Sequence, residues 1–190
     1  MTNLTLDCKS VELTDEQFYQ LCINNRDLKF ERNYKGDLLI MTPVGDISSN
    51  RNARLIQQLL NWSDQNKTGI VFDSSAGFIL PNGATRSPDA SWIRLTKWAK
   101  IPDEEKERFS NICPDFVIEL MSPSDSLKDT QEKMKEYQEN GAKLGWLINR
   151  KTRQVEIYHD NKKVEILNNP QTLSGENILV DFVLNLDFIW

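Results

Sequence analysis

The sequence predicts an α/β (α+β) protein with a mixed central β-sheet flanked by helices and preceded by an N-terminal helix and hairpin. Helical and strand-like patterns alternate along the 190 residues, which favours helices packed on a sheet. The most apolar strand candidate, PDFVIELM, stands directly before an amphipathic helix. No repeat or Pro/Gly/Ser-rich linker divides the chain, so we expect a single domain over residues 1–190.

The first predicted element is a short helix. Thr14 starts a capping box that predicts this helix over about 14–24. Two short apolar runs on either side of a Lys-Gly-Asp break predict a hairpin, which ends at Pro43. A second helix is predicted from Ser48 or Ser49, because apolar residues follow at helical spacing.

The remaining segments are mainly strand candidates. These are GIVFDS, GFILP, SPDASWIRL, PDFVIELM and a meander of LGWLINR, VEIYHD and KKVEILN, with turns at Asn82-Gly83, Lys151-Thr152 and Asn161-Lys162. A charged helix is predicted in WAKIPDEEKERFS, and another over roughly 126–140 that Gly141 ends. The apolar C-terminus, ILVDFVLNLDFIW, either closes the domain's own core or forms a subunit contact. We favour closure for most of it.

The charge balance limits the function classes. The chain has 23 basic and 28 acidic residues, a net charge of −5. A protein that coats nucleic acid is usually basic, so a stoichiometric DNA-binding module is disfavoured, whereas an enzyme can neutralise its acids with a bound metal. No apolar run approaches the ~20 residues that a bilayer requires. Three cysteines without a CxxC pair indicate reduced thiols and a cytoplasmic protein.

Two carboxylates stand in strand candidates where charge is unusual. Asp89 follows a proline in SPDASWI, just inside a predicted strand. In PDFVIELM, alternation puts Glu119 on the same face as Val117 and Met121. If that face is buried, the carboxylate must be paired or bind a cation. The alternatives are an edge strand whose mixed face meets water and, for Asp89, a simple turn residue.

The helix after SPSDS supplies a candidate cation. Asp129, Lys133 and Tyr137 recur every four residues and line one stripe. In isolation this stripe is typical of a solvated Asp-Lys pair with a tyrosine at the core margin. The helix follows the strand of Glu119 through a short loop, so Lys133 is able to approach Glu119. Two carboxylates and a lysine suit phosphodiester hydrolysis with Mg²⁺ or Mn²⁺, because such ions prefer oxygen ligands and the lysine can orient or deprotonate water.

Other catalytic classes lack essential residues. His159 is the only histidine, so no partner histidine exists for a zinc or iron site. The sequence has no GxSxG elbow for a serine hydrolase. It also has no GxGxxG or GxxxxGK[ST] motif, so nothing supports a nucleotide cofactor.

Four ordered segments carry a family resemblance: GDLLIMTPVG, SNRNARL, FDSSAGFILPNGATRSPDASWI, and the stretch from PDFVIELM to RQVEIY. Together they resemble the bacterial Uma-two family of restriction endonucleases, within the PD-(D/E)XK nuclease-like superfamily. The likeness spans about residues 28–168 and leaves 1–27 as an N-terminal extension. It implies a restriction-endonuclease-like core, DNA as the substrate and a homodimer.

The resemblance also implies roles for individual residues. Asp89 matches the acid of the PD motif and Glu119 matches the second acid, so both would hold the metal. Our endonuclease hypothesis adds a backbone carbonyl from Ile118 or Leu120. Lys133 looks like the superfamily's lysine displaced from strand to helix. The secondary candidates are Asn50 and Arg51, at the start of the second helix, and Gln131 and Tyr137, on the later helix.

Two functions from different classes follow. The first is a metal-dependent DNA endonuclease, in which Asp89 and Glu119 bind the metal and Lys133 positions water. The second is a catalytically inactive nuclease-fold dimer that acts as a binding or regulatory module. The net charge favours the second, as does Met121, which stands two residues after Glu119 where the superfamily usually has its lysine. A purely structural acidic cluster is the third interpretation.

Overall fold

The structure is a computed structural model that describes residues 4–8, 10–41, 45–160 and 162–190. Pro43, predicted to end the hairpin, and Asn161, predicted in a turn, lie outside these ranges. The elements, in chain order, are β1 (Leu4–Leu6), α1 (Asp15–Asn24), β2 (Lys29–Arg32), β3 (Leu38–Met41), α2 (Asp46–Asn66), β4 (Gly69–Asp73), β5 (Phe78–Ile79), β6 (Thr85–Arg86), β7 (Ala90–Arg94), α3 (Leu95–Trp98), α4 (Asp103–Lys106), β8 (Phe116–Leu120), α5 (Leu127–Glu139), β9 (Leu144–Asn149), β10 (Gln154–His159), β11 (Glu165–Asn168), β12 (Thr172–Ser174) and β13 (Val183–Asn185).

The larger sheet is mixed, as predicted. Among the described residues it has six strands in the order β11-β10-β9-β8-β7-β4. β8 pairs parallel with β9 and antiparallel with β7, so it is an interior strand. All of its residues are buried, and the alternative of a water-exposed edge strand is therefore wrong. The meander predicted after α5 is present as β9, β10 and β11.

Helices cover both faces of this sheet. On one face, Leu55 and Leu59 of α2 pack with Phe116 and Ile118 of β8. On the other face, Met134 and Tyr137 of α5 pack with Val117 and Met121. The alternation predicted for PDFVIELM is thus confirmed, since successive residues of β8 enter opposite clusters. The C-terminal residues buried in the first cluster, which confirm closure of the chain's own core, are Leu179, Phe182, Leu184, Leu186 and Ile189.

A second sheet extends the predicted hairpin. Within the part of the chain that is described, its five strands run β1-β3-β2-β6-β5. β2 and β3 are antiparallel, and Gly36 takes the positive φ of +88° that the hairpin turn requires. β2 also pairs with β6 through Arg32 and Thr85. The chain runs from β6 directly to Asp89 and then into β7. The pairing of β2 with β6 therefore places β2 beside the loop that enters β7.

The helix boundaries follow local signals. Thr14 and Gln17 form the predicted capping box of α1. α2 begins at Asp46, two or three residues before the predicted start at Ser48 or Ser49, with Gly45 as its N-cap. Ser126 caps α5, and Gly141, at φ +109°, follows its end as predicted. No helix in the described ranges has the length and apolarity that crossing a membrane would require.

Candidate functional site

Asp89 lies in the loop that enters β7, directly before Ala90, and not inside the strand as predicted. Ala90 pairs antiparallel with Ile118, so the same register brings Asp89 opposite Glu119. Asp89 Oδ2 accepts a hydrogen bond of 2.8 Å from the Leu120 amide. This bond fixes Asp89 beside the C-terminal end of β8.

Glu119 is 8% exposed and belongs to the face of β8 that α5 covers. Its Oε1 lies 2.8 Å from Lys133 Nζ and accepts a 3.2 Å hydrogen bond from the Tyr137 hydroxyl. Lys133 and Tyr137 are one helical turn apart, so both reach the same carboxylate. The structure therefore brings together Asp89, Glu119, Lys133 and Tyr137, all of which the sequence had nominated.

Glu31 is a fourth charged residue at this site and was not predicted. It lies on β2 and is only 2% exposed. Its Oε1 lies 2.8 Å from Lys133 Nζ and accepts a 3.0 Å hydrogen bond from the Ser87 amide. Its Oε2 lies 3.1 Å from Arg86 Nη1. Lys133 is consequently held between two carboxylates, one from each large sheet.

Arg86 and Glu136 extend the buried ion-pair network. Arg86 Nε lies 2.5 Å from Glu136 Oε2, and Glu136 Oε1 accepts a 3.0 Å hydrogen bond from Asn82. One sequence signal could have found Glu136, because it stands three residues after Lys133 on the same side of a helix. Arg86 precedes Asp89 in the RSPD segment, but no local pattern predicts that it contacts Glu31 on a distant strand.

Burial perturbs the protonation of the two predicted acids. Burial raises the pKa of Glu119 to about 7, and the charges of Asp89 and Glu31 add to the rise while Lys133 opposes it. Burial also raises the pKa of Asp89, against the opposing effects of Lys29 and of the Leu120 amide. The protein therefore compensates the negative charge of each ionised carboxylate only in part.

Glu31 and Lys133 shift the other way. Burial alone would raise the pKa of Glu31, but the cations of Lys133, Arg86 and Lys29 outweigh it and lower that pKa to about 2. Burial would lower the pKa of the Lys133 ammonium, yet Glu119 and Glu31 outweigh burial and raise it above its usual range. Lys133 thus stays protonated at neutral pH and is suited to orient groups, not to accept a proton.

The free oxygens of the two acids fit a hard cation. In the described residues no donor reaches Asp89 Oδ1 or Glu119 Oε2, and each residue has only its other oxygen engaged. The Leu120 carbonyl points to the same side of β8 as the Leu120 amide, which is the side that faces Asp89. This set contains oxygen atoms only, which Mg²⁺ and Mn²⁺ prefer. No third acid, histidine or cysteine of the described chain completes a three-residue metal cluster, so most of the coordination would fall to water.

The structure does not bring Asn50, Arg51 or Gln131 to these acids. Asn50 is exposed, and Arg51 Nη2 donates to the Trp190 carbonyl at 3.0 Å. Gln131 donates to Glu156 at 2.6 Å, in a separate network on β10. For Asn50 and Arg51 the physical reason is the rotation of α2, since another side of its first turns faces the site. The α2 residues that line the site's cavity are Asp46, Ile47, Ser48, Ser49 and Asn52.

The acids open into a cavity of about 1880 Å³. Its walls are the β2–β3 hairpin, the first turns of α2, the loop 121–126 and α5. Pockets for small ligands are usually about 300–1,000 Å³. The cavity is therefore large enough for a segment of a polymer.

Comparisons with known proteins agree with this architecture. A sequence model of the family described as "Uma2: Putative restriction endonuclease" matches residues 15–187, a wider span than the predicted 28–168. A crystal structure described as a "putative nuclease belonging to DUF820", from Anabaena variabilis, has a TM-score of 0.70 to this chain at 20% identity. The likeness covers 84% of this chain and 88% of that one and shows a shared fold. No curated protein matches the chain. The family match covers most of the chain and includes all of the charged residues of the site. This chain therefore belongs to the Uma2 family.

Proposed function

We propose that the protein is a metal-dependent DNA endonuclease that hydrolyses phosphodiester bonds at Asp89 and Glu119. The observation that carries this proposal is that the two acids, each with a raised pKa and an unengaged oxygen, meet beside Lys133 at the floor of the cavity. The family's description as restriction endonucleases and the description of the Anabaena variabilis protein as a nuclease both support a nuclease.

Asp89, Glu119 and the Leu120 carbonyl would hold Mg²⁺ or Mn²⁺. When bound, such an ion stabilises negative charge on the phosphate and lowers the pKa of a coordinated water. Asp89 is held for this role by the Leu120 amide, and Glu119 is held by Lys133 and Tyr137. The rigid placement of these carboxylates lowers the cost of organising the site.

Lys133 would position the attacking water and add positive charge next to the phosphate. Its ammonium cannot also serve as the base, because Glu31 and Glu119 keep it protonated. Glu31 acts through Lys133, and so is a positioning residue. Lys133 thereby takes the place of the lysine that the superfamily carries two residues after the second acid.

The second candidate is a catalytically inactive nuclease-fold homodimer that binds or regulates a partner. Met121 favours it, since this residue is buried against α5 and supplies no cation. The acidic charge of the chain favours it as well. Light scattering of the purified protein tests the homodimer, which would have twice the mass of the chain.

Cleavage of supercoiled plasmid DNA with Mg²⁺ or Mn²⁺ tests the nuclease. Wild-type protein should cut the plasmid, whereas Asp89→Asn and Glu119→Gln should lose at least about 100-fold in rate. Asp129→Asn is the matched control, because Asp129 is exposed on the same cavity and should keep the wild-type rate. Circular dichroism checks that each variant is folded. If Asp89→Asn and Glu119→Gln cut as fast as wild type, the proposed site is wrong.

A further inference from the structure

Lys29 brings a second lysine to the loop that carries Asp89. Lys29 and Glu31 lie two residues apart on β2 and so share one face of the strand. Lys29 Nζ donates to the Ser87 carbonyl at 3.2 Å, and Glu31 accepts from the Ser87 amide at 3.0 Å. Ser87 is two residues before Asp89. Lys29 is therefore anchored at the same end of the cavity as the paired acids.

The two lysines of the site differ in how far their charge is neutralised. Lys133 is held at 2.8 Å from both Glu31 and Glu119. No carboxylate of the described chain lies within 4.0 Å of the Lys29 ammonium. Its charge acts on Glu31 and Asp89 only from a longer distance, and its hydrogen bond goes to a neutral carbonyl. A lysine ammonium has three donors. Lys29 is half-buried and lines the cavity, so its remaining donors are able to meet an anion there.

The walls of the cavity differ in charge. The hairpin wall, formed by residues 26–35, carries the cations Arg26, Lys29 and Lys35 against the acids Asp27 and Glu31, a net charge of about +1. On the α5 wall the acids Asp129, Glu132, Glu136 and Glu139 outnumber the cations Lys133 and Lys135, for a net charge of about −2. A chain of phosphates is attracted by the first wall and repelled by the second. The charge asymmetry thus selects the hairpin side for a polyanion.

An exposed aromatic ring accompanies these cations. Tyr34 is 60% exposed and lines the same cavity. Lys35 Nζ lies 5.4 Å from the centre of its ring. Aromatic rings beside a basic track are a common means of stacking unpaired bases, so this wall suits a polynucleotide better than it suits a small phosphate.

We propose that the hairpin wall binds the phosphate backbone of a polynucleotide strand, with Lys29 contacting the phosphate nearest Asp89. Lys35 and Arg26 contact phosphates towards the rim, and Tyr34 stacks on a base. The inference rests on the proposed function for the identity of the polymer. Beyond the proposed function, it identifies the wall of the cavity along which the substrate lies. It also identifies the cation, besides Lys133, that lies beside the reacting phosphate.

The salt dependence of binding tests this proposal. Fluorescence anisotropy would follow binding of a labelled 20-nucleotide single strand, with Ca²⁺ in place of Mg²⁺, over a series of NaCl concentrations. Loss of one phosphate contact lowers the slope of log K against log[salt] by about 0.7 for a single strand. Lys29→Gln and Lys35→Gln should each show this loss, and Lys29→Arg should restore the slope. A purely structural role of Lys29, holding Ser87, would weaken binding without changing the slope.

Two controls separate the contributions. Lys135→Gln removes the same charge from the α5 wall of the same cavity and should leave the slope unchanged. Tyr34→Ala should weaken binding about fivefold or more while keeping the slope, because stacking releases no counterions. Lys35 is exposed, so Lys35→Gln remains informative even if Lys29→Gln fails to fold.

The outcomes distinguish this inference from the proposed function. If wild-type protein binds the strand but cuts no DNA with Mg²⁺ or Mn²⁺, the nuclease proposal fails. The salt slopes of the variants then still test whether the hairpin wall binds the strand. If wild type binds no strand, the hairpin-wall proposal is overturned, and plasmid cleavage still decides the nuclease proposal. The hairpin wall is wrong if Lys29→Gln and Lys35→Gln keep the wild-type slope, or if Lys135→Gln lowers it equally.

Discussion

Lys133 Nζ lies 2.8 Å from Glu119 Oε1, joining the middle of α5 to the last residues of β8. The chain leaves β8 at Leu120 and enters α5 at Leu127, so a short loop is enough to bring the two side chains together. Lys133 also reaches Glu31 at 2.8 Å. A single ammonium thereby links the mixed sheet, α5 and the hairpin sheet.

Replacement of Glu31 should destabilise the protein in a pH-dependent way. The folded-state pKa of Glu31 is about 2, below its ordinary 4.5. The stabilisation is therefore complete above pH 4.5 and is lost as the pH falls towards 2. We expect Glu31→Gln to lower the free energy of unfolding by about 3 kcal/mol at pH 7, measured by urea denaturation.

The same experiment at lower pH checks the cause. Between pH 4.5 and 2 the difference between wild type and Glu31→Gln should shrink. Glu132→Gln is the control, because Glu132 is exposed on α5 and its pair with Lys128 is long, at 3.9 Å. This control should change stability by less than about 0.5 kcal/mol. A pH-independent loss in Glu31→Gln would contradict the ion-pair explanation.

Metal affinity should rise with pH through the pKa of Glu119. This carboxyl titrates at about 7 in the folded protein, and a proton on it competes with a cation. We expect Mn²⁺ to bind about tenfold more tightly at pH 8 than at pH 6, measured by isothermal titration calorimetry. Glu119→Gln should bind weakly at both values, and Asp129→Asn should behave as wild type. Equal affinity of wild type at the two pH values would count against Glu119 as a ligand.

Replacing Tyr137 should shift the low-pH limb of the pH profile of the cleavage rate. Its hydroxyl donates to Glu119 at 3.2 Å, and a donated hydrogen bond favours the carboxylate. In Tyr137→Phe the pKa of Glu119 should rise, so the acid limb of kcat/KM should move up by about one pH unit. The matched control is Tyr158→Phe, whose hydroxyl donates instead to Glu156 at 2.7 Å. That variant should keep the wild-type limb, and a shift shared by both variants would refute the assignment.

Arg86 should not be replaceable by lysine. Its guanidinium contacts Glu136 at 2.5 Å and Glu31 at 3.1 Å, both in the interior. A lysine lacks the fork that spans two carboxylates, so Arg86→Lys should cost on the order of 3 kcal/mol of unfolding free energy. Arg108→Lys, at an exposed pair with Glu16, should leave the stability nearly unchanged. Thermal denaturation at pH 7 compares the two, and similar losses would show that burial of the Arg86 network is unimportant.

Several elements could be predicted because their signals are local. The capping box at Thr14, the strand alternation in PDFVIELM and the helix ended by Gly141 each depend on a few neighbouring residues. The approach of Lys133 to Glu119 was predictable for the same reason, since strand, loop and helix are consecutive. Asp89 was nominated from the family resemblance more than from its predicted place in a strand. In the structure it lies in the loop before that strand.

The amino-acid sequence by itself determined the mixed α/β class, the faces of β8 and α5, and the nomination of Asp89, Glu119 and Lys133. Only the tertiary structure decided that Glu31 and Lys29 join them, because pairing between β2 and β6 spans more than fifty residues and leaves no periodic trace. Only packing decided that Asn50 and Arg51 face away, since helical periodicity defines the stripes of a helix but not which stripe is turned towards the site.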